Sequence, residues 1–269
     1  MADTQGSAPL PQRALTAVIQ RGEGNVWWLP AREKDVERQQ APSLAHVVDQ
    51  RASRRLMLRI KRAIDVAAAI VGLTAMIVLM PLIGLAICLD SPGGVFYSQT
   101  RIGINRRRRR VGGYGTSDRR KIVQPGRPFR IHKLRTMRTD AERDGPQWAS
   151  KGDARVTRVG RLLRATRLDE VPQFLNVLRG EMSLIGPRPE RLCFIHKLEK
   201  DVPDYRDRLL VLPGITGLAQ VINGYDGSVE AVRRKVELDR QYIRDFSLAA
   251  DLRIVCKTIK VVLTGEGAC

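Results

Sequence analysis

The hydrophobic pattern changes character several times along the chain. From Val66 to Leu89, VAAAIVGLTAMIVLMPLIGLAICL, 24 consecutive residues carry no charge. A straight helix of that length is about 36 Å long, enough to reach across a bilayer core. Because it is apolar on every face, it predicts a membrane-embedded helix rather than an amphipathic helix of a soluble domain. Downstream the periods shorten. SPGGVFYSQTRIG predicts a turn and a short strand, and RPFRIHKLRTM a strand followed by a turn. Thr157 to Thr166 predicts a basic helix. Asp169 to Arg179 predicts a second one, with Asp169 as N-cap, Pro172 in the first turn and Gly180 at the stop. Ser228 to Asp245 and Ser247 to Leu263 predict two more. In the last, Leu248, Leu252, Val255, Ile259 and Val262 recur at four and three, opposite Arg253, Lys257 and Lys260. Such an amphipathic stripe suits either a core face or the headgroup region of a membrane.

Residues 1–45 show no sustained period and are rich in Ala, Pro, Gln, Gly and charge, so they read as a disordered extension. Within them the Trp27–Trp28 pair suits either a membrane interface or a small local contact. The pattern of a secretory signal peptide is not seen at the start. The elements add up to a mostly helical α+β chain in three parts: the extension 1–45, a basic flank and membrane helix at 46–90, and a globular region at 91–269 carrying a basic loop at 104–126.

Charge sharpens this picture. Lys+Arg 47 against Asp+Glu 28 gives a formal net charge of +19, which points to polyanionic partners: nucleic acid, anionic lipid or phosphorylated small molecules. No helix-turn-helix, zinc-finger or RNA-binding motif accompanies the charge, so nucleic acid is not expected as a partner. The five arginines Arg106 to Arg110 read instead as a solvated loop attracted to anionic headgroups. Both flanks of the apolar run are positive, with Arg51, Arg54, Arg55, Arg59, Lys61 and Arg62 before it and Arg101 and Arg106 to Arg110 after it. Lys and Arg are retained on the cytoplasmic side, so neither end is expected to be translocated. Pro81 removes a backbone donor inside the run. A helix that enters, breaks at Pro81 and returns to the same face satisfies both observations; the alternative is a spanning helix kinked at Pro81. The four cysteines are scattered without a C-x-x-C pair, which fits a reducing compartment, and the three histidines lack zinc-ligand spacing.

The candidate chemistry centres on RLDEVPQF. Asp169 and Glu170 stand at a predicted helix start, where free N–H groups favour negative charge. Adjacent helical residues point about 100° apart, so the two carboxylates need not share one task. An ionised carboxylate there can act as a nucleophile or a metal ligand, or simply cap the helix. Arg158, Arg161 and Arg164 are spaced by three on the preceding helix. Arg188 lies between Pro187 and Pro189, which fix the backbone of a guanidinium suited to gripping phosphate. LPGITGLAQ, Leu212 to Gln220, reads as a glycine-bracketed turn that lets backbone approach a ligand closely. Carboxylates among arginines beside a membrane suggest phosphate chemistry on a lipid, with a divalent cation shielding the anions.

Taken together, HKLRTM, GPQWA, DARVTRVGRLLRATRLDEVPQFLNVLRGEMSLIGPRPE, LPGITGLAQV and LDRQYIRDFSLAADLRIVCKTI resemble the bacterial sugar transferases. More narrowly, they resemble the monotopic phosphoglycosyl transferases that start exopolysaccharide, capsule and O-antigen synthesis. The resemblance runs from about Lys61 to the C-terminus. It implies a monotopic membrane protein with a re-entrant helix broken at Pro81, and a catalytic domain with amphipathic interfacial helices on the cytoplasmic face of the bacterial inner membrane. It implies transfer of a sugar 1-phosphate from a UDP-sugar to undecaprenyl phosphate with release of UMP. By the same resemblance Asp169 is the nucleophile that forms a covalent phospho-sugar intermediate, and Glu170 assists through Mg²⁺ or by accepting a proton. Asp169 and Glu170 are then the metal ligands, and Lys133, Arg164 and Arg188 hold phosphates. The chain departs from the family pattern at Met80 and Arg167, where serine is usual, and in INGYDG, Ile222 to Gly227, which lacks a common arginine. The donor sugar, the pathway and homodimer formation are left open by the residues.

Overall fold

The computed structural model describes residues 55–105, 125–143, 145, 147, 152–223 and 228–264. The expectations for residues 1–45, for the arginine run 106–110 with most of the basic loop, and for much of GPQWA and INGYDG lie outside them. The first element, α1 (Arg55–Asp90), contains the apolar run, and its helical assignment continues through Pro81. Only 17% of its most apolar window is buried, so it is not the core helix of a soluble domain. One face packs on the globular body, through Ala69 beside Phe129, Val177 and Met182 and through Met76 and Ile87 beside Leu134 and Leu163. The rest is exposed, including Val71, Ile77, Val78, Leu82 and Leu89.

Strands β1 (Phe96–Ile102) and β2 (Pro128–Leu134) form an antiparallel pair in which Tyr97 lies opposite Lys133. Strand alternation puts Lys133 on the same face as the buried Phe129 and Ile131, so this lysine points inward. Helix α2 (Arg158–Ala165) starts where expected, because the Thr157 hydroxyl accepts from Gly160 N at 3.0 Å.

The acidic segment folds differently from its expected single helix. Leu168–Gln173 is a 3₁₀ helix that passes into a short α3 (Phe174–Leu178). Asp169 is therefore not the N-cap: Arg167 holds that position, in the left-handed region at φ 57°. Gly180 follows at φ 72°, the left-handed stop that the sequence indicates.

Two three-residue strands, β3 (Ser183–Ile185) and β4 (Gly214–Thr216), pair in parallel. The remaining elements are α4 (Leu192–Asp201), a 3₁₀ helix (Tyr205–Leu210), α5 (Leu218–Ile222), α6 (Val229–Arg244) and α7 (Leu248–Thr264). The predicted glycine turn is thus β4 and the start of α5. Its glycines serve backbone packing rather than a ligand, since a Cβ on Gly214 or Gly217 would run into the backbone of Gly186. The expected apolar stripe of α7, Leu248, Leu252, Val255, Ile259 and Val262, contains none of its buried residues. Ile254 is buried, Leu248, Val255 and Val262 are half-buried, and Leu252, Ile259 and Leu263 are exposed.

The β3–β4 pair ends immediately before Pro187 and Arg188, so it sets where that arginine stands. Gly214→Ala should destabilise the fold by about 2 kcal/mol or more, the cost of overpacking a filled site. A thermal melt of the detergent-solubilised protein measures this, and an unchanged midpoint would contradict the packing described here.

Candidate active site

The site is built where β2, the 3₁₀ helix at Leu168–Gln173 and the Pro187–Pro189 segment converge. Asn176, fully buried, ties the acidic segment to β2: its side chain donates to Arg130 O at 2.7 Å and accepts from His132 N at 3.2 Å. Glu170 and Asp169 are both 6% exposed. One oxygen of Glu170, Oε1, accepts from Lys133 Nζ at 2.8 Å and from Arg188 at 2.7 Å. Asp169 is held more loosely. Its Oδ2 lies 4.0 Å from Lys133 Nζ, and its Oδ1 is buried with no hydrogen-bond partner. The electrostatics come from these side chains rather than from a helix dipole, because the segment is a single short 3₁₀ turn.

The two carboxyls are driven apart. Burial pushes Asp169 above the ordinary carboxylate range; Lys133 offsets this in part and the neighbouring Glu170 adds to it. Burial also pushes Glu170 up, but the charges of Arg188 and Lys133 overcome it and hold that carboxyl well below the usual range. Lys133 is lowered by its own burial, against the pull of Glu170. Arg188 is raised, chiefly by Glu170.

These residues line an open cavity of about 630 Å³. All five positions singled out in the sequence, Lys133, Arg164, Asp169, Glu170 and Arg188, stand on its wall. Of the three arginines spaced along α2, only Arg164 does, and its Nε donates to Thr136 Oγ1 at 3.0 Å; Arg158 and Arg161 are exposed elsewhere on the helix. Ten Lys and Arg residues against four Asp and Glu line the cavity, so it carries a strong positive potential suited to polyanions.

Sequence reasoning missed the supports behind this wall. Arg208 is buried, donates to Asp239 at 2.6 Å and to Tyr205 Oη at 2.8 Å, and also donates to the backbone oxygen of Arg188 at 3.0 Å. It thereby ties the Pro187–Pro189 segment to α6. Glu190 stands between Arg101 and Lys235, at 3.2 Å from each. Burial raises the Glu190 carboxyl, but the cations around it, Lys235 first, bring it down to about 2. The signal for Glu190 was present in GPRPE; Arg208 and Asp239 lie 31 residues apart and carry no local mark. Arg101 and Arg167 also line the cavity.

The model of the bacterial sugar transferase family matches residues 56–265. This chain belongs to that family. A UDP-N-acetylgalactosamine-undecaprenyl-phosphate N-acetylgalactosaminephosphotransferase of Aeromonas hydrophila is 43% identical over 209 residues, which cover 78% of this chain and 45% of the relative. A UDP-glucose:undecaprenyl-phosphate glucose-1-phosphate transferase of Caulobacter vibrioides is 44% identical, over 77% of this chain and 71% of the relative. The exopolysaccharide production protein PSS of Rhizobium leguminosarum is 35% identical, over 78% of this chain and 98% of the relative. The matched region includes every site residue of this sugar transferase.

Charge placement makes a stability prediction. Glu170→Gln leaves the half-buried Lys133 and Arg188 without their counter-charge and should cost about 1–3 kcal/mol. Asp169→Asn removes a carboxylate that the fold holds against burial, so it should melt no lower than wild type. The sign for pH follows from the depressed Glu170. Its contribution is fully present above the unfolded carboxylate value of about 4.3. It is lost as pH falls below that toward the folded value, where the unfolded chain binds more protons. Melting curves between pH 3 and 7 should show this acid slope in wild type and a weaker one in Glu170→Gln. An equal slope in both would contradict the placement.

Proposed function

We propose that this sugar transferase moves a sugar 1-phosphate from a UDP-sugar to undecaprenyl phosphate, releases UMP, and does so through a covalent intermediate on Asp169. The observation that carries the reading is the unequal state of the acidic pair: Glu170 is saturated by Arg188 and Lys133, while Asp169 keeps a buried oxygen without a partner in a cationic cavity. The names of the Aeromonas and Caulobacter relatives supply the donor and acceptor classes.

In the first half-reaction a carboxylate oxygen of Asp169 attacks the β-phosphorus of the UDP-sugar. A phosphorus–oxygen bond forms to Asp169. The bond from that phosphorus to the bridging oxygen breaks, and its electron pair leaves on UMP. In the second, an oxygen of undecaprenyl phosphate attacks the same phosphorus, and the Asp169 carboxylate departs with its electron pair. Neither step requires a proton from the protein, which suits a Glu170 too weakly basic to act as a proton acceptor. Glu170 instead fixes Lys133 and Arg188 where charge builds on the transferring phosphoryl group, and Arg164 adds a third positive charge.

A divalent cation such as Mg²⁺ fits the donor set. The unpartnered Asp169 Oδ1 is a hard oxygen ligand, and Glu170 stands beside it. Mg²⁺ commonly takes one or two carboxylates and completes its shell with substrate phosphates and water. When bound, the ion would offset phosphate charge at the transferring group.

The placement of α1 supports entry into and exit from the cytoplasmic leaflet of the inner membrane on one side. Toward its start, Lys61 pairs with Asp251 at 2.7 Å, Arg62 donates to Val177 O at 2.7 Å, and Asp65 accepts from Ser183 Oγ at 2.8 Å. At its end, Asp90 accepts from Val159 N at 2.8 Å. Both ends are thus fastened to one body, whereas a spanning helix would carry one of them across the bilayer. The reversal falls at Pro81, where the helix lacks a donor.

Two measurements test these readings. Membranes containing the protein, given Mg²⁺, undecaprenyl phosphate and a panel of UDP-sugars, should release UMP with one donor. Asp169→Asn should abolish turnover, a loss of at least a thousandfold, and stay membrane-bound; release of UDP would overturn the mechanism. For topology, single cysteines at Arg59→Cys and Gly94→Cys, with Cys88, Cys193, Cys256 and Cys269 replaced, should both react with an impermeant maleimide in inverted vesicles. Labelling from opposite sides would establish a spanning helix.

A further inference from the structure

Four cations of the cavity wall form two groups, each gathered round one carboxylate. Lys133 and Arg188 meet on Glu170 at 2.8 and 2.7 Å. Arg101 and Lys235 meet on Glu190, each at 3.2 Å and on different oxygens. All six residues line the cavity. The sheet register relates one group to the other. Tyr97 stands opposite Lys133 and Arg101 opposite Phe129, so Arg101 lies four residues, about 13 Å, along the ladder from Lys133. Alternation puts both side chains on one face. Arg188 bonds Glu170 beside Lys133, and Arg101 Nη1 donates to the carbonyl of the next residue, Pro189, at 3.4 Å. The order along the wall is therefore Lys133, Arg188, Arg101, with Asp169 at the Lys133 end.

Arg101 is not satisfied by these partners. Both of its hydrogen bonds are made by Nη1, to Glu190 Oε2 and to Pro189 O. Its Nη2 bonds nothing among the described residues and is not fully enclosed, and the side chain keeps 21% of its surface open. Burial pushes the guanidinium below its ordinary value; Arg188 and Arg191 add to this, and Glu190 offsets it only in part. The pair with Glu190 thus leaves positive charge uncompensated on a donor at the cavity wall. A guanidinium in that state suits a phosphate oxygen, to which it makes a charge-assisted bond.

We infer that Arg101 is a second phosphate-binding residue of this site, and that its Nη2 takes a phosphate other than the one that transfers at Asp169. The inference rests on the proposed function. Lys133 and Arg188 stand at the transferring group, and each substrate brings one more phosphate: the α-phosphate of the UDP-sugar, which leaves on UMP, or the phosphate of undecaprenyl phosphate. Both present the same chemistry to a guanidinium. Glu190 and Lys235 act as positioning residues here. The carboxylate of Glu190 fixes Nη1, and Lys235 holds the other oxygen of that carboxylate, so Nη2 is presented in one orientation.

The test is steady-state UMP release by the full-length protein in detergent with Mg²⁺, varying in turn undecaprenyl phosphate and the UDP-sugar that serves as donor. In the proposed two-step course each substrate reacts in its own half-reaction, so its kcat/KM reports that half alone. Arg101→Gln should lower kcat/KM for one substrate by at least about tenfold and leave the other within about twofold. A loss confined to the UDP-sugar puts its α-phosphate on Arg101; a loss confined to undecaprenyl phosphate puts the acceptor phosphate there. Arg101→Lys, which keeps the charge and can still bond Glu190, should recover part of the loss, and it carries the test if the glutamine variant fails to fold. If Arg101 serves only to hold Glu190, both values will fall alike or neither will move, and either result overturns the inference. A wild type that releases no UMP with any donor overturns the proposed function, and this phosphate contact with it.

Discussion

The arrangement depends on one ionic knot. Glu170 Oε1 receives both Arg188 and Lys133 within 2.8 Å, and so joins three segments that are remote in sequence: β2, the 3₁₀ turn and the Pro187–Pro189 segment. Without the carboxylate, two half-buried cations would stand close together without a counter-charge. With it, they are brought within reach of the same substrate while their mutual repulsion is offset. Further supports radiate from the knot. Arg208 holds the backbone of Arg188, Asp239 holds Arg208, and Asn176 holds the acidic segment on β2. Buried ion pairs often add little net stability against an apolar alternative. Their use here is positional: they place charge where a polyanion must be gripped, in a wall that water reaches poorly.

Much of the site was legible in the sequence because its chemistry is compressed into short motifs. Lys133, Arg164, Asp169, Glu170 and Arg188 all reach the cavity wall. Helices α2 and α6 were legible to within a residue because their starts are written in side chains, Thr157 bonding Gly160 N and Ser228 bonding Ala231 N. The acidic segment was misread because Asp followed by Glu and Pro is the signature of an ordinary helix start, whereas the left-handed Arg167 ahead of it is set by tertiary packing. Strands of three residues have no period to detect, so β3 was not anticipated and β4 passed for a turn. In α7 periodicity marked an apolar stripe at Leu248, Leu252, Val255, Ile259 and Val262, but the fold buries Ile254, which lies outside that stripe, and leaves Leu252 and Ile259 exposed. Supports such as Arg208 with Asp239 depend on pairings that no local pattern records.

The apolar helix poses a related problem of register. Hydrophobic contact is non-directional, and a helix greasy on all faces could slide or rotate against the body with little change in energy. The contacts of α1 that resist this are polar: Lys61 with Asp251, Arg62 with the carbonyls of Val177 and Leu178, Asp65 with Ser183, and Asp90 with Val159 N. Each has directional geometry, so together they fix rotation and translation at once. Arg62 is the most telling, since it satisfies the last carbonyls of α3, the helix that follows the acidic pair. The element expected to sit in lipid is thereby coupled mechanically to the segment that carries the proposed nucleophile. On the proposed reading, in which the acceptor is dissolved in the bilayer, that coupling would set the height of the site above the membrane.

The acidic pair shows why the fold tolerates a local cost. Two adjacent carboxylates are placed in environments that move them in opposite directions, Asp169 up by burial and Glu170 down by its two cations. Divergent environments for paired titratable groups are how one site assigns two roles. A carboxylate with a raised proton affinity is also a better nucleophile toward phosphorus, provided that it remains ionised, because both properties reflect less stabilisation of its negative charge. The missing hydrogen bond at Asp169 Oδ1 is then not an oversight in an otherwise well-satisfied site. A hydrogen-bond donor there would stabilise the charge of the carboxylate and make it a weaker nucleophile in the proposed mechanism. On the proposed mechanism, the burial that raises Asp169 and the reactivity of its carboxylate have one cause.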